Sequence, residues 1–333
     1  MILVTGGTGL VGAHLLYKLA NQKEKVRAIY RSEHKLQLVK NVFASLDADF
    51  EMLFASIEWV KADILDIPAL LEAFLGVKYV YHSAAFVSFE PNKYHLLRRT
   101  NIDGTANVVN LCLSENVEKL CYVSSIATLG SELNNKPVNE ETIWDPEADN
   151  NAYAITKYGA EMEVWRGTQE GLDAVIVNPG VILGAGFWDN GTGNLFKKAK
   201  KGFPFYTSGT IALVTVDDVV KVMIDLMQSD IKNERFVLVA EHWTYKKFLE
   251  AVATAVNGKP PKKLAPNWLL NIGWQLDWFK TKLTGMRRQL TRNLVRTLST
   301  DTQYSSDKIK TALNFKFKAV DDVICETGRL YLK

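Results

Sequence analysis

The chain has 333 residues, 47% hydrophobic and 23% charged, with a formal net charge of +3. That length can bury a large core and suggests two domains, or one large α/β domain with an appended lobe. So slight a charge, with no aromatic-basic binding motif, argues against nucleic acid as a partner, and no run of about 18 apolar residues is present to span a membrane.

The opening MILVTGG enters an apolar strand without the charged flank and long apolar run of a signal peptide, so a cytoplasmic protein is expected. Short apolar runs then alternate with helical periodicity, the sign of βαβ units around a parallel sheet. Strands are expected near Ile2–Val4, Val26–Tyr30, Glu58–Ala62, Tyr79–His82, Leu120–Ser124 and Ala174–Asn178. Helices are expected around Leu10–Ala20, Ala69–Leu75, Tyr94–Leu113 and Ala152–Gln169. This alternation predicts a doubly wound α/β fold.

After Asn178 comes a glycine-rich, proline-punctuated stretch, NPGVILGAGFWDNGTGN, of the kind that borders a ligand pocket. VTVDDVVKVMIDLMQ predicts a helix capped by Asp217 or Thr215, with Val219, Val220, Met223 and Met227 on its apolar face. Phe236–Val239 adds a strand, and the chain from about residue 241 reads as helical and rich in Trp and basic residues. The basic runs FKKAKKG (Lys197, Lys198, Lys200, Lys201) and MRRQLTRNLVR (Arg287, Arg288, Arg292, Arg296) are first of all solvated helix faces, with an anionic substrate the alternative. In NWLLNIGWQLDWF, Trp268, Ile272, Gln275 or Leu276 and Phe279 recur at helical spacing, which predicts core packing or a pocket lid, with peripheral membrane contact as the alternative.

Cys112, Cys121 and Cys325 have no CxxC spacing and are expected to be reduced, buried small hydrophobes. His14, His34, His82, His95 and His242 lack the HxxxH and HExxH spacings, so no metal site is expected.

The loop LVTGGTGLVG follows a strand and opens a helix; Gly7, Gly9 and Gly12 satisfy GxGxxG, and Gly6, Gly9 and Gly12 satisfy GxxGxxG. Glycines there permit a tight turn and let backbone N–H groups approach a pyrophosphate at the positive end of a helix. Thr8, Leu10 and Val11 belong to the same candidate cofactor loop. A dinucleotide fold selective for NAD usually ends its second strand with an acid that holds the ribose 2′-OH. VRAIYRSEHK has none at Ile29, Tyr30 or Arg31, and Arg31 with Lys35 offers two positive charges, which favours NADP over NAD. In YAITKYGAE, Tyr153 and Lys157 are four apart and share a helix face. A cation favours the phenolate and brings a tyrosine down from about pH 10, although a bare YxxxK is most simply an ordinary surface pair.

TGGTGLVG, the acid of KADILD, the HSAA run, NIDGTANV, YVSSIATLG and YAITK occur in the order and spacing of the extended short-chain dehydrogenase/reductase family, which the chain resembles. The resemblance is continuous over the N-terminal two thirds and loose beyond. It implies a doubly wound parallel-sheet Rossmann fold over 1–178, to which 214–240 returns, and a smaller, mostly helical C-terminal substrate lobe from 179–213 and 241–333. By that resemblance Tyr153 is the acid/base, Lys157 the cation that lowers its pKa and holds the nicotinamide ribose, and Ser125 the catalytic hydroxyl, with Ser124 the fallback. Asp63, followed by Ile64, resembles the adenine contact. Ser83, Ala84 and Ala85 resemble the small run against which the cofactor lies, and Pro179, Gly180, Val181 and Ile182 its loop behind the nicotinamide. Asn101 resembles a helix residue assisting a proton relay, with a back-bond to its own helix as the plain alternative.

Within the family, VRAIYR and the Trp-bearing lobe look more like the dihydroflavonol-reductase and 3β-hydroxysteroid-dehydrogenase branch than the sugar-nucleotide epimerases. The resemblance therefore implies an NAD(P)-dependent oxidoreductase working on a small-molecule carbonyl or secondary alcohol, as a homodimer. The alternatives are a nucleotide-sugar epimerase or dehydratase with tightly bound NAD, and a non-catalytic dinucleotide-sensing protein.

Overall fold

The computed structural model describes residues 1–132, 136–189, 191–284, 295–296 and 298–333. The chain opens with β1 (Ile2–Thr5), α1 (Leu10–Asn21), β2 (Val26–Tyr30), α2 (His34–Leu46), α3 (Phe50–Ala55), β3 (Glu58–Lys61), α4 (Ile67–Phe74) and β4 (Tyr79–His82). It continues with α5 (Tyr94–Leu97), α6 (Gly104–Ser114), β5 (Lys119–Val123), α7 (Ala152–Gln169), β6 (Ala174–Pro179), β7 (Val181–Leu183), α8 (Gly193–Lys201), β8 (Phe205–Tyr206), β9 (Thr210–Thr215), α9 (Val216–Gln228) and β10 (Glu234–Leu238). The last elements are β11 (Glu241–Thr244), α10 (Tyr245–Ala255), β12 (Lys263–Leu264), α11 (Asn267–Thr284), α12 (Asp307–Leu313) and α13 (Val320–Leu332).

Seven strands form one parallel sheet in the order β10-β6-β5-β4-β1-β2-β3. Successive strand residues face opposite sides, and the sheet is apolar on both, as covered parallel sheets are. Val4, Val175 and Val177 pack against Leu15, Leu16 and Leu19 of α1 and Val219, Val220 and Met223 of α9. Their neighbours Leu3 and Ile176 pack on the other face with Phe74 of α4, Val108 of α6 and Val164 of α7. A separate core joins Leu183, Phe196, Trp243, Phe248, Val252 and Ile324 beneath a small sheet of order β11-β9-β7.

Local chemistry places the helix starts. Asp66 caps α4 by accepting from Ala69 N (3.3 Å), Asn151 caps α7 through Ala154 N (2.9 Å), and Thr215, not Asp217, caps α9 through Asp218 N (3.0 Å). Several expectations are corrected. The helix expected over 94–113 is broken: α5 and α6 are separated by a π-helical turn, Arg98–Asp103. α2 and α3, unforeseen, sit between β2 and β3, and Val181–Leu183 is a strand within the glycine-rich stretch. Cys112 and Cys121 are buried, but Cys325 is exposed on α13. Trp268, Ile272, Leu276 and Phe279 of α11 are exposed instead of packed in a core. Lys197 pairs with Asp189 (2.5 Å) on the exposed face of α8. Arg287, Arg288 and Arg292 lie outside the described residues.

Two glycines set the first loop. Gly6 has φ +72°, and a Cβ there would come within 2.5 Å of Ala84 N; a Cβ on Gly12 would collide with the Gly6 carbonyl oxygen. Backbone on both sides leaves nothing to rotate away. Gly12→Ala should therefore lower the unfolding free energy by at least about 1–3 kcal/mol, the usual cost of overpacking, as read from urea midpoints.

Candidate active site

β1 lies between β2 and β4, so the crossover direction reverses at its carboxyl end, where doubly wound sheets bind ligands. There the structure gathers Gly6, Thr8, Gly9, Arg31, Lys35, Asp63, Ile64, Ser83, Ala84 and Ala85 into one cleft, with Ile29, Tyr30, Ala62 and Thr100 completing its wall. α1 starts at Gly9 without a side-chain cap and with no acid in its first turn. Its first-turn N–H groups are thus the kind of donor that holds an anion. Gly7 instead faces Leu16, and Leu10 and Val11 pack against the core, so these three hold the loop without lining the cleft. No acid stands at the end of β2; Arg31 Nη1 reaches Asp63 Oδ2 at 3.5 Å, a loose exposed pair.

The second half of the site is built on α7. Tyr153 is half-buried in its first turn, with the Phe89 ring edge-on at 5.6 Å between centroids. Burial raises its phenol above the ordinary value, while the neighbouring Ser125 hydroxyl pulls it down. Lys157, one turn on, is 2% exposed; its Nζ donates to Tyr122 Oη at 2.6 Å and to the Val123 carbonyl at 2.8 Å. Desolvation depresses this ammonium to about 7, opposed by the nearby Glu161 carboxylate. The expected lowering of Tyr153 by Lys157 is therefore not found in this state: the lysine is itself desolvated and is turned to Tyr122 and β5.

Ser125 follows β5; its Oγ accepts from Ala127 N at 3.1 Å, and of the two serines it is the one beside the Tyr153 phenol. The Ser124 hydroxyl is committed elsewhere, donating to Glu161 Oε2 at 2.5 Å. Asn101, 1% exposed within the π-helical turn, makes neither a helix back-bond nor a bond to Lys157. Its Oδ1 accepts from Phe86 N (2.7 Å) and its Nδ2 donates to Phe86 O (3.0 Å) and Thr156 Oγ1 (3.2 Å). It thereby clamps the Phe86 segment after β4 to the helix that carries Tyr153. Pro179 ends β6; Gly180 N donates to Leu238 O at 3.0 Å, and Val181 and Ile182 are half-buried in β7.

Sequence reasoning missed Glu161, which is fully buried. It accepts from Ser124, from Thr128 Oγ1 (2.8 Å), from Asn178 Nδ2 (2.9 Å) and, at Oε1, from Arg235 Nη1 (3.0 Å). Asn178 Nδ2 also donates to the Ser125 carbonyl at 3.2 Å, and Thr128 Oγ1 lies 2.9 Å from it, so this carboxylate fixes the loop bearing Ser125. The available signal was spacing: Glu161 follows Lys157 by four on the same helix face. Tyr122 and Phe89 were also missed, since only the fold brings them to Lys157 and Tyr153. Among the described residues no cluster of His, Cys, Asp or Glu is placed to hold a metal, and no helix is long and apolar enough to cross a membrane.

Residues 2–239 match the NAD dependent epimerase/dehydratase family, and the chain belongs to it, as an extended short-chain dehydrogenase/reductase with reductase-named relatives. A Synechocystis protein provisionally named dihydroflavonol 4-reductase is 29% identical over 280 residues, 81% of this chain and 77% of that protein. Sterol demethylase protein B of Methylococcus capsulatus is 29% identical over 267 residues, covering 79% and 76%. The crystal structure of gox2253 superposes with a TM-score of 0.81 at 25% identity, over 99% of this chain and 97% of that one.

Two outcomes follow from the buried charges. Arg235→Ala leaves the Glu161 carboxylate without its cation and should cost about 3–5 kcal/mol by urea unfolding, and adding Glu161→Gln should recover part of the loss. The folded protein releases the Lys157 proton near 7 and the unfolded chain near 10.5. Burying the charged lysine therefore costs stability in full below about pH 7, and the cost fades as pH rises toward the unfolded value. The stability of Lys157→Met relative to the parent should accordingly fall between about pH 6 and pH 10; a constant difference across that range contradicts the depressed lysine.

Proposed function

We propose that the chain is an NADP-dependent oxidoreductase acting on a carbonyl or secondary alcohol of a small molecule, with Ser125, Tyr153 and Lys157 as its reacting group. The observation that carries this reading is the meeting of the Ser125 hydroxyl with the Tyr153 phenol, with Lys157 buried one turn behind, on a helix that Asn101 ties to the segment following the Ala84–Ala85 wall of the glycine-loop cleft. The chain's residues fit a dinucleotide: the uncapped start of α1, the close backbone approach at Gly6 and the small Ala84–Ala85 wall support a pyrophosphate and the stem of the cofactor. Arg31 and Lys35, with no acid ending β2, favour a 2′-phosphate.

When bound, the nicotinamide supplies or accepts the hydride. In the direction of reduction, Tyr153 gives its proton to the carbonyl oxygen while the Ser125 O–H donates to that same oxygen and stabilises the charge developing there. Lys157, depressed to about 7 by burial, braces Tyr122 and the end of β5 one turn behind the phenol. Asn101 acts by position, holding the Phe86 segment against α7. One observation favours a second reading, an epimerase or dehydratase with tightly held NAD: Arg31 already leans on Asp63, which lowers its claim on a 2′-phosphate. Exposed Tyr94, Leu96 and Ile155 on the helices around the site support a homodimer, which light scattering at micromolar concentration tests.

Tyr153→Phe should lower kcat by about 10²–10⁴-fold, the span of lost acid–base catalysis, with cofactor affinity nearly unchanged; retained turnover sinks the assignment. Arg31→Ala should weaken NADPH binding by about tenfold, one charge-assisted contact, and leave NADH binding unchanged. Purified protein carrying tightly bound NAD favours the epimerase reading instead.

A further inference from the structure

We infer that the C-terminal lobe docks on the surface of an anionic phospholipid bilayer through the exposed face of α11. The first observation is charge. From Lys259 to Arg296 the sequence holds nine Lys and Arg against one acid, Asp277, a local +8 in a chain of net +3, so the rest of the molecule is at −5. A segment with this excess of cations, in a molecule whose remainder is net acidic, favours a negatively charged interface at this lobe.

The second observation is the face itself. Trp268, Ile272, Leu276 and Phe279 are 64%, 46%, 64% and 57% exposed. At about 100° per residue they fall within an arc of roughly 80°, while Asp277 lies on the far side of the helix. Exposed Lys280 borders this arc, and just before the helix stand exposed Lys262, Lys263 and Leu264. α11 has 18 residues but does not qualify as a membrane span. A helix with an aromatic and aliphatic stripe, basic margins and too little overall hydrophobicity to insert lies in the plane of the interface, where Trp is favoured. Charge complementarity selects a bilayer carrying anionic headgroups over a neutral one. This inference does not depend on the proposed reaction.

The test is flotation of the full chain with vesicles of phosphatidylcholine, with and without phosphatidylglycerol. Docking on α11 predicts flotation with the anionic vesicles only, weakened by about tenfold in high salt or in Lys262→Glu/Lys263→Glu and to a similar degree in Leu276→Ser/Phe279→Ser. All four positions are exposed, and circular dichroism verifies that the variants are folded. Tyr153→Phe should float like the parent, which separates failure of docking from failure of the catalytic reading. Absence of flotation with anionic vesicles overturns the inference. So does undiminished flotation of Leu276→Ser/Phe279→Ser, which reduces the contact to charge alone. A parent dimer that this double variant turns into a monomer also overturns it, because the face then belongs to a second copy of the chain.

Discussion

The site depends on one charge that the fold has taken out of water, the carboxylate of Glu161. An isolated carboxylate in the interior is prohibitive unless it is paired and its oxygens are saturated. Here Arg235 supplies the cation, and Ser124, Thr128 and Asn178 supply the remaining donors. Those partners come from the segment after β5, from β6 and from β10, so satisfying one side chain on α7 ties that helix to two strands and to the turn that bears Ser125. Arg235 is itself closed by the carbonyls of Glu140 (2.9 and 2.6 Å) and Thr142 (3.4 Å), which draws in the segment just before α7.

α7 thus carries a stripe of Tyr153, Lys157 and Glu161 at successive turns, graded from half-buried to fully buried. The grading separates their tasks. The outermost group is the most exposed of the three, the middle one is desolvated enough to titrate near neutrality, and the innermost holds the scaffold. A lysine beside a buried anion keeps more of its charge than burial alone would leave it. The same carboxylate, by fixing Thr128 and Asn178, holds the Ser125 carbonyl and leaves that hydroxyl toward the phenol.

Across the cleft the constraint is steric instead of electrostatic. Backbone of Ser83 and Ala84 occupies the space where a Cβ on Gly6 would stand, and backbone of Gly6 and Gly7 the space of a Cβ on Gly12, so the turn brings β1 against the Ala84 segment after β4. The wall at Gly6, Gly9, Ser83, Ala84 and Ala85 is therefore made of main chain and small side chains, with Arg31, Lys35 and Asp63 adding charged groups to the same cleft.

Where chemistry is local, the sequence alone determined the outcome. Alternating apolar runs located the strands because both faces of the sheet are covered, the glycine loop was legible because its conformation tolerates little else, and the spacing of Tyr153 and Lys157 followed from helix geometry. Its failures were also local in cause. The π-helical turn at Arg98–Asp103 differs from an α-helix in bonding and not in periodic pattern, and the stripe on α11 reads as core because spacing says which residues share a face, not what that face meets. Only the tertiary structure decided the partnerships: Glu161 with Arg235 across 74 residues, Lys157 with Tyr122, Asn101 with Phe86, and the choice between Ser124 and Ser125. Such pairings are set by which elements the fold makes neighbours and by how far each group is withdrawn from water, and neither quantity is carried by a residue's nearest neighbours in the chain.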